Sequence, residues 1–173
     1  MSKVDFDKWI DSFPDFPRPG ILFRDISPLL ASSEAMSLLK KEFVNGIQDW
    51  KPEIIAGIDA RGFLFSTLIA DSLKVGSLMI RKSGKLPGKV EEKQYELEYG
   101  SNKLSMQKNH NIKGKNIVLI DDLLATGGTI RCAIELIESQ QANVCGCACV
   151  VELSSLKGSA LLECPVFSLV KYE

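Results

Sequence analysis

The sequence predicts an α/β fold, a single domain on a mainly parallel central sheet with helices on both faces. Three observations lead there. Short apolar runs of strand length alternate with segments of helical periodicity. The residues of unusual chemistry fall in three loops, "GIDARG", "RKSGKLPG" and "DDLLATGGT", each at the end of such a run, where ligands bind in open parallel sheets. The 173 residues, 45% hydrophobic and 25% charged, have an ordinary globular balance and enough length for one core.

The elements follow in order. Residues 4–13 read as a short amphipathic helix, with Val4, Trp9, Ile10 and Phe13 able to share a face. "PDFPRPGILFRDISP" has four prolines and a glycine. Proline removes backbone donors and fixes φ, so this is an ordered, irregular loop rather than a helix or a central strand. Residues 33–50 form a helix, with Met36, Leu39, Phe43, Ile47 and Trp50 on one stripe. Residues 53–58 form a strand, 62–73 a helix and 77–80 another strand. The basic loop "RKSGKLPGKVEEK" leads into an antiparallel hairpin of "QYELEYG" and "NKLSMQK". Residues 116–120 are a strand, 128–139 a helix, and 144–152 and 166–170 the last strands.

Composition narrows the function. A net charge of -1 gives no basic field for nucleic acid or an acidic membrane. No apolar run approaches the roughly 20 residues that span a bilayer. The opening "MSKVDFDKWIDSF" is polar and acidic, unlike a secretory signal or a transit peptide. Five cysteines, three of them alternating in "VCGCACVV", suggest reduced thiols and a cytoplasmic setting. Period two would place Cys145, Cys147 and Cys149 on one strand face, as core packing.

The segment "DDLLATGGT" carries the strongest chemistry. Adjacent Asp121 and Asp122 repel, and their desolvation needs compensation, which sugar hydroxyls or a hydrated divalent cation would supply. Ala125, Thr126, Gly127, Gly128 and Thr129 would wrap successive N–H groups around a phosphate at the start of a helix. An isolated Asp-Asp pair would read as a solvated helix cap; the whole pattern after an apolar strand does not. Arg81, Lys82 and Lys85 stand in a glycine-bearing loop that suits a polyphosphate, or is simply a solvated charged loop. Arg61 is a further anion contact at a helix start, or an ordinary surface arginine. No G-x-G-x-x-G or G-x-x-x-x-G-K-[ST] pattern occurs, and the single histidine, His110, sits in a polar connector.

"VLIDDLLATGGT" resembles the phosphoribosyl-pyrophosphate motif of the type I phosphoribosyltransferases. "FPDFPRPGILFRDISPLL", "AGIDARGFLF", "IRKSGKLPG", "YELEYG" and "VELSSLKG" narrow the resemblance to the branch that acts on adenine, over nearly the whole chain. The resemblance implies a type I phosphoribosyltransferase fold across residues 1–173, with a small N-terminal hood at about 1–30 and a flexible lid loop at about 82–99. It implies purine salvage: adenine and phosphoribosyl pyrophosphate give AMP and pyrophosphate, with Mg2+, in a cytoplasmic homodimer.

Carried over by residue, Phe23 would stack on the purine and the main chain of Leu22 and Arg24 would read its edge. A core aromatic is the other reading of Phe23. Asp121 and Asp122 would hold the ribose and help place Mg2+, and residues 125–129 would hold the 5-phosphate. Arg61, Arg81, Lys82 and Lys85 would address pyrophosphate, Glu98 would be the acid/base, and Tyr99 would belong to the lid. Two features depart from the family pattern: Ala60 where serine is common, and an acidic pair in a lid without tryptophan. Transfer to a 6-oxo purine, or a non-catalytic nucleotide sensor, are the competing readings; the Phe23 hood argues against the first, and the presence of Glu98 and the lid cations against the second.

Overall fold

The computed structural model describes residues 4–97, 100–108 and 111–173. A 3₁₀ turn, Asp7–Trp9, precedes a small antiparallel sheet of β1 (Asp11–Pro14) and β2 (Leu22–Asp25), in which Phe13 faces Phe23. Then come α1 (Ser27–Ala31), α2 (Ser33–Ile47), β3 (Ile54–Ile58), α3 (Gly62–Leu73) and β4 (Gly76–Lys82). The hairpin β5 (Val90–Leu97) and β6 (Gly100–Gln107) leads to β7 (Asn116–Leu124), α4 (Gly128–Glu138), β8 (Asn143–Leu153) and β9 (Val166–Tyr172). Among the described residues the larger sheet has seven strands, in the order β5–β6–β4–β3–β7–β8–β9. Pairing is parallel from β4 through β9, and the hairpin joins β4 antiparallel.

β7 shows why the sheet is covered on both faces. Ile117 and Leu119 enter the core cluster that includes α4, while Val118 and Ile120 enter the one built with α2 and α3. Side chains alternate along a strand, so an all-apolar run needs cover on each side. α2 supplies part of it through Ala35, Leu39, Phe43 and Ile47, all fully buried and four residues apart. Its start is set by Ser32, whose Oγ accepts the Ala35 N–H at 3.1 Å.

α3 approaches the sheet more closely than a side chain would allow. A Cβ on Gly57 of β3 would strike Ser66 Oγ and come within 3.1 Å of the Gly62 carbonyl. A Cβ on Gly62 would sit 2.6 Å from the Ile120 carbonyl of β7. These two glycines seat the start of α3 on the ends of two neighbouring strands.

Four expectations change in detail. Residues 4–13 are not a helix: the chain makes one 3₁₀ turn and becomes extended at Ile10, and Phe13 is 49% exposed rather than on a buried face. Pro14 disfavours helical backbone at Phe13, and pairing with β2 satisfies the extended strand instead. The proline-rich segment is only partly irregular, since it contains β2 and runs into α1, with Pro28 in the first turn of that helix. β7 runs past Ile120 to Leu124, because β8 continues to pair with it as far as Leu124 and Glu152. Asp121 and Asp122 therefore lie in the strand, not after it. Finally, a register shift opposite Ile117 and Val118 puts a bulge in β8 at Cys145. Cys147 and Cys149 pack with α4, but Cys145 packs against the opposite cluster, so the three thiols do not share a face.

The expected hairpin is present and begins earlier, at Val90, with Lys93 paired to Glu135 of α4 at 3.1 Å. Glu98, Tyr99 and His110 lie outside the described residues.

Gly57→Ala is expected to destabilise the fold by about 1–3 kcal/mol, the usual penalty for a methyl forced into a packed contact. Urea unfolding measures it; an unchanged midpoint would show that α3 can recede without loss.

Candidate active site

Adjacent strands β4, β3 and β7 all end on the same edge of the sheet, and their loops meet there as the sequence anticipates. They enclose a cavity of ≈ 430 Å³. Asp59, Ala60 and Arg61 reach it from β3, Lys82 from β4, and Asp121, Asp122 and residues 125–129 from β7 and the start of α4. The hairpin adds Tyr95 and Asn102, which the sequence did not suggest.

Gly127 has φ 84°, the left-handed region, and turns the chain into α4. The first intrahelical bond runs from Arg131 N–H to the Gly127 carbonyl at 2.9 Å. The N–H groups of Gly128, Thr129 and Ile130 thus have no partner inside the helix, and together with the helix dipole they favour an anion. The loop is backed by a second loop. A Cβ on Gly127 would lie 2.5 Å from the Gly158 carbonyl, and a Cβ on Gly158 would run into the Ala125 carbonyl. Gly158 acts here by allowing two backbones to touch. A contact about 30 residues away in sequence leaves no local signal.

Asp122 is buried and pairs with Arg61 Nε at 2.9 Å. The Asp122 N–H donates to Asp121 Oδ1 at 2.9 Å. Burial raises the pKa of both carboxyls. For Asp121 the adjacent Asp122 charge adds to burial and the rise is large; for Asp122 the Arg61 guanidinium works against it. Arg61 is not an idle surface residue: its Nε is engaged by Asp122, while its side chain remains half exposed at the cavity.

The basic loop is arranged differently from the expectation. Only Lys82 of its three named cations lines the main cavity. Arg81 Nε lies 3.2 Å from Asp59 Oδ2, and Lys85 Nζ lies 3.8 Å from the same oxygen. The Lys82 N–H also donates to it, at 3.4 Å. Asp59, unassigned from sequence, is the buried hub that gathers this loop. Its position directly after an apolar strand was the available signal.

A second, smaller cavity of ≈ 80 Å³ opens under β2. Leu22, Phe23 and Arg24 form one wall, and Leu123, Val151 and Leu153 from β7 and β8 face them. Both cavities are lined by Arg61, Asp122 and Leu123, so they adjoin. Phe23 belongs to neither core cluster; its ring is half-buried and meets Phe16 edge-on at 5.1 Å. An apolar slot beside a polar, anion-favouring cavity suits a flat base joined to a sugar phosphate.

Comparison with known proteins agrees with this geometry. Residues 29–162 match the family model of the phosphoribosyl transferase domain. The chain is 49% identical over 168 residues to an adenine phosphoribosyltransferase of Cricetulus griseus, covering 95% of this chain and 93% of the relative. The Saccharomyces cerevisiae adenine phosphoribosyltransferase, in complex with adenine and an imino-altritol bisphosphate, superposes with a TM-score of 0.91 at 38% identity, covering 95% and 96% of the two chains. The Giardia lamblia enzyme with 9-deazaadenine gives a TM-score of 0.91 at 34% identity, covering 100% and 99%. The fold is that of a phosphoribosyltransferase. Within that class, the chain belongs to the adenine phosphoribosyltransferase family.

Asp121→Asn tests the carboxylate tension. Because the folded state raises the pKa of Asp121, its protonated form favours folding. That contribution is full below the unfolded value of about 3.9 and is lost as pH rises through the folded value. Ionising the buried side chain therefore opposes the fold. Asp121→Asn is expected to raise stability at pH 7 by roughly 1 kcal/mol, with the gain fading toward pH 4. Thermal melts of both proteins across that range measure it; a variant less stable at pH 7 would contradict the account.

Proposed function

We propose that the two adjoining cavities divide the family's reaction between them, base in the small one and phosphoribosyl pyrophosphate in the large one. The observation that carries this reading is the shared boundary of Arg61, Asp122 and Leu123. The chain transfers the 5-phosphoribosyl group from phosphoribosyl pyrophosphate to adenine, giving AMP and pyrophosphate in purine salvage.

The purine lies between Phe23 and the wall of Leu123, Val151 and Leu153. β2 pairs with β1 on one side only, so its other edge has free backbone groups, and residues two apart present theirs in the same direction. Leu22 and Arg24 have that spacing and read the edge of the base with one N–H and one C=O. A 6-oxo purine would leave such groups unpaired, which discriminates strongly. The ribose hydroxyls face Asp121 and Asp122. The 5-phosphate sits on the N–H groups of residues 125–129 and the N-terminus of α4.

As pyrophosphate leaves, positive charge develops on the sugar, which the two carboxylates face, and negative charge on the leaving group, which Arg61 and Lys82 face. Arg81 and Lys85 join them by giving up Asp59. Glu98 takes the proton displaced from the purine ring. The β5–β6 hairpin and the loop before it exclude water from the sugar centre.

Magnesium fits this site in a particular way. No group of three or more ligating side chains occurs among the described residues. Magnesium commonly takes only one or two carboxylates, with water and substrate oxygens completing its shell, and Asp121 and Asp122 supply that much. When bound it neutralises charge on the leaving group. A homodimer also belongs to this reading; exposed Leu64 of α3 and Met79 of β4, each 50% exposed, favour an apolar contact. Five free cysteines suit the reducing cytoplasm.

The decisive experiment is AMP formation by the purified protein with magnesium and phosphoribosyl pyrophosphate, using adenine against hypoxanthine and guanine. Product from adenine alone is expected, and product from none of the bases, with tight AMP binding, would leave a sensor instead. Glu98→Gln is expected to lower kcat by about 10²–10⁴-fold while KM for both substrates moves only a few-fold. Unchanged turnover would remove Glu98 from the mechanism.

A further inference from the structure

The base-reading strand β2 has no buried residue of its own. β1 beside it is exposed along its whole length. Core side chains flank the pair: Phe6 and Ile10 before β1, Ile26 and Leu29 after β2. A two-stranded sheet is marginal by itself, so these outer anchors leave the middle of β2 free to shift. Yet main-chain recognition of a base needs its donors and acceptors held within about 0.5 Å.

One group of side chains ties the middle of β2 to the large sheet. The Arg24 guanidinium lies over the Tyr172 ring of β9, 3.6 Å from the ring centre. Arg24 Nη1 donates to Ser12 Oγ of β1 at 2.6 Å. The Tyr172 hydroxyl in turn donates to Asp7 Oδ1 at 2.5 Å, which reaches the 3₁₀ turn ahead of β1. Arg24 itself lines the small cavity under β2. The four residues span both hood strands, the turn before them and the edge strand of the core.

We propose that Tyr172 is a positioning residue for the base: its ring seats the Arg24 guanidinium and its hydroxyl is held by Asp7, which fixes the β2 backbone over the base cavity. This rests on the assignment of that cavity to the base. Burial and the Asp7 carboxylate push the Tyr172 pKa up to about 12, so the hydroxyl remains a donor throughout the physiological range. A cation over an aromatic face is attracted to it electrostatically, and here the contact also aligns a planar group against a planar surface.

The test is steady-state kinetics of Tyr172→Leu with both substrates. KM for adenine is expected to rise about tenfold and discrimination against hypoxanthine to fall, while KM for phosphoribosyl pyrophosphate stays within about twofold. Tyr172→Phe keeps the ring and is expected to restore most of the adenine affinity. Arg24→Met removes the other half of the contact and leaves β9 intact, so it answers the same question if Tyr172→Leu fails to fold. Its adenine KM should rise as much, and the double variant should show no further rise. Equal rises in both KM values would make Tyr172 merely structural and overturn the proposal. Phe23→Ala separates the two readings. If it raises adenine KM but Tyr172→Leu and Arg24→Met do not, the positioning role fails and the base cavity stands. If none of the three changes it, the base cavity reading fails and the positioning role falls with it.

Discussion

At the end of β7, the Asp122 carboxylate leaves the core and meets the Arg61 guanidinium at 2.9 Å. Much of the site is arranged around that contact. β7 is the strand on which both core clusters meet, so its far end cannot be charged without a partner close by. Arg61 can serve because α3 starts where it does, and α3 starts there because Gly57 and Gly62 let its first turn lie directly on β3 and β7. The same pair stands on the boundary between the two cavities. Packing in the core, the entry of a helix and the boundary between the two cavities are thus settled together.

The parts of this molecule that were legible in the sequence are the parts whose causes are local. α3 occupies residues 62–73 as its periodicity indicates. The turn at Gly127 and the helix after it follow from glycines and an apolar stripe within a few residues. What escaped depends on distant partners. β7 continues through two aspartates because β8 pairs with it there, which overrides the poor strand tendency of aspartate. The bulge at Cys145 is a fault in register between two strands and leaves no mark on either strand alone. Asp59 and Gly158 gain their roles from contacts 22 or more residues away.

The hood follows a different logic from the core. The large sheet is held by buried apolar side chains on two faces, while β1 and β2 have no fully buried residue and rely on anchors at their ends and on polar contacts between. Such a construction concentrates lower stability in the small sheet, a trait that binding elements commonly share. Phe16 of the connector and Phe23 of β2 add an aromatic contact inside the hood itself.

The Asp59 carboxylate gives the basic loop an occupation before any anion arrives. Arg81, Lys85 and the Lys82 amide all converge on one of its oxygens. An incoming polyanion therefore exchanges one partner for another rather than capturing idle cations. The net gain would then be a difference between two attractions rather than the whole of one. The Asp59 side chain is almost fully buried, so an anion that drew these cations away would leave its charge uncompensated. The protein thus carries, in one carboxylate, an internal competitor for the cations of its own basic loop.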